Sequence, residues 1–217
     1  GKQKVNLILF GPPGAGKGTQ AQFIVKKYNY FQLSTGDILR NEIKKKSLLG
    51  KKIESIITPG EFVNDDIVNA LLKQTIIKPE IKNKIIFDGY PRNISQAKNL
   101  KKILKEDDQT IDIIIFLKVS RDVIQKRILG RLTCEKCNMT LNEFFNQEEI
   151  NNHSCGNQHF QKRKDDNQQT VITRYENYME KTKPVLDFYS SSKGFHEVDG
   201  GQKIQAITSK IEQILGV

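Results

Sequence analysis

The sequence predicts an α/β fold, a doubly wound parallel sheet, and three observations lead there. Short apolar runs that read as buried strands alternate with helical patterns, the first run ends in a cluster of glycines, and the alternation continues to an amphipathic C-terminal helix. "VNLILF" (5–10), "KIIFD" (84–88) and "IDIIIFLKV" (111–119) are the clear strands, and "FQL" and "FHEV" are weaker ones. In the tail, Ile204, Ile207, Ile211, Ile214 and Leu215 fall on one face at helical spacing. Right-handed crossovers between such strands cover both faces of the sheet. One segment breaks the rhythm. Residues 133–166 are polar and asparagine-rich, hold all three cysteines and two of the three histidines, and have no helical period, so they read as an insertion.

The 217 residues suffice for one sizeable domain, or for one core domain carrying insertions. No run approaches the roughly 18 consecutive apolar residues of a membrane span, and the first residues lack a signal-peptide pattern, so a soluble protein without a membrane partner is expected. The chain begins at Gly1 rather than methionine, which leaves a targeting segment open; a cytoplasmic location is expected, with an organellar, mitochondrial-type one as the alternative. The net charge of +10 invites a nucleic-acid reading, but the lysines are scattered and no stripe of interleaved aromatics accompanies them, so no nucleic-acid partner is expected. Only seven residues are arginine, at 40, 92, 121, 127, 131, 163 and 174. In a lysine-rich chain, arginine marks places where a planar, bidentate fork is needed, as at phosphate oxygens.

The glycines of "FGPPGAGKGTQ" (10–20) lie between the first strand and a helix expected over 16–28. Gly11-x-x-x-x-Gly16-Lys17 is the phosphate-binding loop pattern: backbone N–H groups converge on an anion, Lys17 adds a charge, and the helix N-terminus adds its dipole. Gly18 occupies the place where Ser or Thr usually ligates Mg²⁺, and Thr19 follows it. Asp88 ends a strand beside Gly89; it is either the N-cap of the next segment or a holder of Mg²⁺ through its waters, and the phosphate loop favours the second.

Five stretches, "GPPGAGKGTQ", "LSTGDILR", "FDGYPRNISQA", "GRLTC" and "RKDDNQQTVITR", together resemble the adenylate kinases, in the family's order and through nearly the whole chain. The resemblance implies a P-loop NTPase-type core of five parallel strands (1–33, 64–129 and 167–217), an inserted AMP-binding domain (34–63) and a lid (130–166). It implies a monomer that moves the terminal phosphoryl of ATP, with Mg²⁺, to AMP, giving two ADP. By motif, Arg40 and Arg92 would hold the AMP phosphate; Arg127 and Arg131 would lie on the ATP side, one helical turn apart; Arg163 and Arg174 would close over the moving group, leaving Arg121 over. Asp165 and Asp166 would serve hinge and closure contacts. The ATP set would be Gly14, Ala15, Gly16, Lys17, Gly18, Thr19, Arg127, Arg131, Thr140, Leu141 and Gln202. The AMP set would be Thr35, Arg40, Glu61, Phe62, Val63, Gly89, Arg92, Gln96, Arg163 and Arg174, with Thr35 and Gln96 against adenine and Phe62 and Val63 as apolar walls. Where many relatives carry a Tyr-His pair against the donor base, this chain has Leu141 and Asn142, so GTP stays open as an alternative donor. No residue reads as a tuned general base, which suits a reaction between phosphate oxygens. A non-catalytic nucleotide sensor is the rival from another class, against which the complete arginine set argues.

Cys134-Glu-Lys-Cys137 is half of a zinc knuckle, and lids of bacterial-type relatives hold structural Zn²⁺ with two such pairs. The second pair is broken: Asn152 stands where a cysteine is expected, with His153 beside it and Cys155 beyond. Cys134, Cys137, His153 and Cys155 are the expected zinc ligands and His159 the spare; the alternative is a lid held by hydrogen bonds with unligated thiols. A disulfide is not expected.

Overall fold

The computed structural model describes residues 4–57, 63–162 and 167–217. The elements follow as β1 (Asn6–Phe10), α1 (Lys17–Tyr28), β2 (Phe31–Leu33), α2 (Thr35–Lys44), α3 (Leu48–Ile57), α4 (Asp65–Ile76), β3 (Ile85–Asp88) and α5 (Ile94–Glu106). Then come β4 (Ile111–Lys118), α6 (Arg121–Leu129), β5 (Arg131–Cys134), β6 (Thr140–Asn142), α7 (Gln147–Asn151), β7 (Phe160–Lys162), α8 (Gln168–Ser190), β8 (Phe195–Asp199) and α9 (Ile204–Leu215). Five strands pair in parallel in the order β2-β3-β1-β4-β8, so all five expected strands form, including the two weaker ones.

The period-two alternation of β1 divides the core. Ile8 and Phe10 pack into one cluster with Phe87, Tyr90, Leu100 and Tyr189; Leu7 and Leu9 pack into the other with Ile24, Ile86, Ile115 and Ile211. Asn6, fully buried within β1, is tolerated because its amide is satisfied: Nδ2 donates to Gln109 Oε1 (3.0 Å) and Thr110 O (3.1 Å), and Oδ1 accepts from Ile85 N (3.0 Å). Ser34, Asn64, Asn93, Ser120 and Asn167 each cap a helix N-terminus through a side-chain oxygen. β1 lies between β3 and β4, so the strand order reverses at its carboxyl end and opens a crevice there for a ligand. Among the described residues no helix is long and apolar enough to cross a membrane.

Two expectations need correction. Arg127 and Arg131 do not share a helix. α6 stops at Leu129, Gly130 is its C-cap, and Arg131 opens β5, so the i, i+4 spacing spans a helix end. The insertion is not devoid of regular structure either. β5 pairs antiparallel with β6 and with β7, and α7 sits between them, so a three-stranded sheet orders the polar segment. Its strands have only three or four residues, too short for the alternation that announces a sheet.

Candidate active site

The loop after β1 takes the conformation its glycines permit. Gly14 and Gly16 both have φ of 87°, and Gly16 caps α1 from the left-handed region, where a side chain would be strained. Gly14 also lies close to α6: a Cβ there would come within 3.1 Å of Ile128 Cδ1. Gly11 has different work, since a Cβ would sit 3.3 Å from both Ala15 Cβ and Leu117 Cβ, which keeps the loop tight on the sheet. Its N–H donates to the Tyr178 hydroxyl of α8 (2.9 Å). Burial pushes that phenol up to about 12, so it stays protonated.

Lys17 opens α1, and its Nζ lies 2.8 Å from Asp88 Oδ1 at the end of β3. The other Asp88 oxygen accepts from Gln32 Nε2 of β2 (2.9 Å), whose Oε1 accepts from Gln22 Nε2 (3.2 Å). Asp88 is no N-cap, because Asn93 caps α5. Beside the pair is a cleft of about 640 Å³ lined by Lys17, Gly89, Arg92, Tyr178, Lys181 and Thr182 among others. Gly89 turns there with φ of 70°, and its carbonyl accepts from Arg92 Nε (3.1 Å). A second cleft of about 530 Å³, behind α2 at the β2 edge, contains none of the expected cations.

Arg127 reaches from α6 across the glycine loop. NH1 donates to Gly14 O (3.2 Å), and NH2 donates to Gly200 O and, at 3.5 Å, to Gln202 O. Burial draws its proton affinity below the usual range, with Asp199 opposing that shift. The Gln202 amide donates to Asp199 O (3.0 Å). Ala15 is fully buried, while Gly18 has open space around its Cα. Thr19 lies in the first turn of α1. Arg174 is exposed on α8, four residues before Tyr178 and so on the same helical face.

On the expected AMP side, Thr35 opens α2 behind its cap Ser34, and Arg40, farther along α2, pairs with Asp37. Gln96 accepts from Arg92 N through Oε1 (2.7 Å) and donates to Asp65 Oδ1 (3.3 Å). Val63 packs against the core cluster. Glu61, Phe62, Arg163, Asp165 and Asp166 lie outside the described residues. Arg121, the arginine left over, pairs with Glu176 on the surface (3.0 Å).

The cysteines converge. Cys134, Cys137, His153 and Cys155 each present one ligand atom, all within 4.8 Å of one another. Cys137 Sγ and His153 Nε2 are 3.3 Å apart. Burial pushes the Cys134 thiol up, but the backbone N–H groups of Cys137 and Lys136 and the His153 and Cys137 side chains outweigh it and bring it down to about 6. The spare histidine, His159, is not in the group; its carbonyl accepts from Glu135 N (2.9 Å). On the neighbouring β6, Thr140 and Leu141 pair in register with Thr133 and Leu132.

A sequence profile of the adenylate kinase family matches residues 9–194. This chain belongs to the adenylate kinase family. It is 61% identical to an adenylate kinase of Pelagibacter ubique over 98% of this chain and all of the relative. It is 40% identical to an adenylate kinase of Novosphingobium aromaticivorans and 38% identical to one of Listeria innocua, each over 97% of this chain and 99% of the relative. The protein is therefore a nucleoside monophosphate kinase. Three neighbours of the expected residues escaped the sequence reading: Tyr178 on Gly11, Gln32 on Asp88 and Asp65 on Gln96; Asn142, which the sequence places beside Leu141 at the donor base, bonds its amide to the end of α6. Only Tyr178 carried a signal, its position four residues after Arg174.

Proposed function

We propose that this adenylate kinase transfers the terminal phosphoryl of ATP to AMP between the glycine loop and the Gly89–Arg92 turn, with ATP on the loop side and AMP on the α2 side. The observation that carries the assignment is that Lys17, paired with Asp88 at the end of β3, and Arg92 line one cleft. The loop N–H groups and the α1 N-terminus bind the donor phosphates, and Lys17 exchanges Asp88 for a phosphate oxygen. Arg127 does likewise, trading the carbonyls of Gly14, Gly200 and Gln202 for the donor chain, with Arg131, Thr140, Leu141 and Gln202 completing the ATP side. Arg40 and Arg92 hold the AMP phosphate in line, and Arg163 and Arg174 join them as the site closes. Thr35 and Gln96 read the adenine, beside Glu61, Phe62 and Val63. With both reacting atoms on phosphates, the protein positions, neutralises charge and excludes water.

The carboxylate of Asp88 suits Mg²⁺, a hard cation with oxygen ligands held through waters. When bound with ATP, the ion neutralises charge on the phosphate chain. The three sulfurs and one imidazole of the small sheet suit Zn²⁺: a tetrahedral site with bonds near 2.3 Å has ligand–ligand edges of about 3.8 Å, and the group lies within 4.8 Å. The metal would tie the β5–β6 turn to the segment after α7. A monomer working on small nucleotides in the cytoplasm is the expected form.

ADP formation from ATP and AMP with Mg²⁺, run beside GTP and AMP, tests the reading. Turnover with ATP supports it, and turnover with GTP alone transfers the donor assignment to the Leu141–Asn142 stretch. No turnover with either donor rejects catalysis. Elemental analysis of protein purified without added zinc tests the metal: a stoichiometry near zero in a folded protein rejects it.

A further inference from the structure

Asn142 ends β6 in the small sheet, yet its side chain is bonded to the core. Nδ2 donates to the carbonyls of Lys126 (3.0 Å), which also accepts from Gly130 N (3.0 Å), and of Arg127 (2.9 Å), both in the last turn of α6. Oδ1 accepts from Phe144 N (2.9 Å), and the Asn142 N–H donates to Asn146 Oδ1 (2.9 Å). Glu143 N donates to Gly130 O (2.8 Å). The space is tight: a Cβ on Gly130 would lie 2.5 Å from Phe144 Cδ2 and 2.6 Å from Asn142 Oδ1. The residue bonded through its carbonyl, Arg127, is the one whose guanidinium bridges Gly14, Gly200 and Gln202. One amide therefore joins the small sheet to the helix end that carries the cation over the glycine loop.

We infer that Asn142 is a positioning residue for the donor site: it latches the 130–162 sheet to the C-terminus of α6, so that the attitude of that sheet sets the placement of Arg127. The amide is well suited to the task. Its planar NH₂ offers two donors to two carbonyls while its oxygen takes a third bond, which no hydroxyl or carboxylate can match. Replacing it by aspartate keeps the shape but aims an acceptor and a negative charge at two carbonyl oxygens, at the helix end where anions are disfavoured. Histidine, of similar breadth, retains one N–H donor.

The inference rests on the placement of ATP beside Arg127, and the experiment separates the two. Kinetics of the parent, Asn142→Asp and Asn142→His proteins are measured with ATP and AMP varied separately, together with thermal midpoints and metal content. In Asn142→Asp the KM for ATP should rise about tenfold, equivalent to about 1.4 kcal/mol, while the KM for AMP stays within about twofold. Asn142→His should recover to within about threefold of the parent, because one donor survives. A purely structural cap would lower the midpoint and leave both KM values in place, which overturns the inference. Equal rises in both KM values overturn it too, as does an Asn142→His protein no better than Asn142→Asp. If Arg127→Ala leaves the KM for ATP unchanged, the placement of ATP is what fails. Were Asn142→Asp to be isolated unfolded, Asn142→Ala, which removes the donors without adding charge, gives the same discrimination.

Discussion

Replacing Lys17 by alanine separates what the cation does for folding from what it does for chemistry, because the two effects differ greatly in size. The Lys17–Asp88 pair is 2.8 Å long with side chains 25% and 18% exposed, shielded but still in contact with water. Pairs of this kind contribute about 1 kcal/mol or less once solvent screening is allowed for. After the substitution Asp88 keeps the Gln32 amide at 2.9 Å on Oδ2, so the carboxylate retains one hydrogen bond although its buried Oδ1 loses Lys17. A domain of this size should then lose only about 2–4 °C in thermal midpoint. Removing a preorganised positive charge from a group that develops charge in the transition state costs about 3–4 kcal/mol, or roughly 10²–10³ in kcat. The assay is ADP formation under saturating ATP, AMP and Mg²⁺, with the midpoint measured on the same preparation. An alanine variant that stays folded and retains more than about a tenth of parental kcat refutes the placement of Lys17 on the transferring phosphates. A variant that loses activity in proportion to its folded fraction gives the pair a structural role only.

Tyr178→Phe removes the acceptor of Gly11 N, and an unpaired N–H at the base of the loop should lower kcat/KM for ATP by about tenfold while leaving the KM for AMP alone, as separate titrations of the two nucleotides will read. Stripping metal with a chelator at neutral pH should lower the thermal midpoint and release thiols to a colorimetric reagent, and adding Zn²⁺ should restore both; an unchanged midpoint counts against a structural metal. Glu212 receives hydrogen bonds from Tyr28 and Lys27, which hold its carboxyl below the ordinary 4.5. A depressed folded value means stability fully present above the unfolded value and lost as pH falls through the folded one. Tyr28→Phe should therefore lower the midpoint at neutral pH and flatten its fall on acidification; an unaltered acid limb in melts taken from about pH 6 to pH 3 would discount the cluster.

What could be read from the sequence depended on how local the cause was. β1 and β4 announce themselves because burial on both faces makes them continuously apolar, and the loop between β1 and α1 announces itself because its glycines and Lys17 are consecutive. The Cys134, Cys137, His153 and Cys155 group was legible because metal ligands must be particular residue types at short spacings. The helix end between Arg127 and Arg131 was lost because Gly130, between Leu129 and Arg131, is the one stop signal there, with no proline or asparagine beside it. The three-stranded sheet was lost because its pairing joins residues far apart in short, polar strands. Gln32 on Asp88 and Tyr178 on Gly11 are 56 and 167 residues apart in the chain, and only the fold brings them together.

The same long-range contacts bear on how a phosphate site remains folded without phosphate. On the proposed assignment Lys17 and Arg127 meet a polyanion, and an enclosed cation with no acceptor would destabilise the free protein. Each is satisfied by protein oxygens instead: Lys17 by a carboxylate, and Arg127 by three carbonyls. These acceptors can be exchanged, because a phosphate oxygen offers each cation the same kind of charge-assisted bond with more charge behind it. They also lie on three different parts of the structure: β3, the glycine loop and the 200–202 turn. On the proposed placement of ATP, its phosphates would take the place of these acceptors and release those parts from the cations.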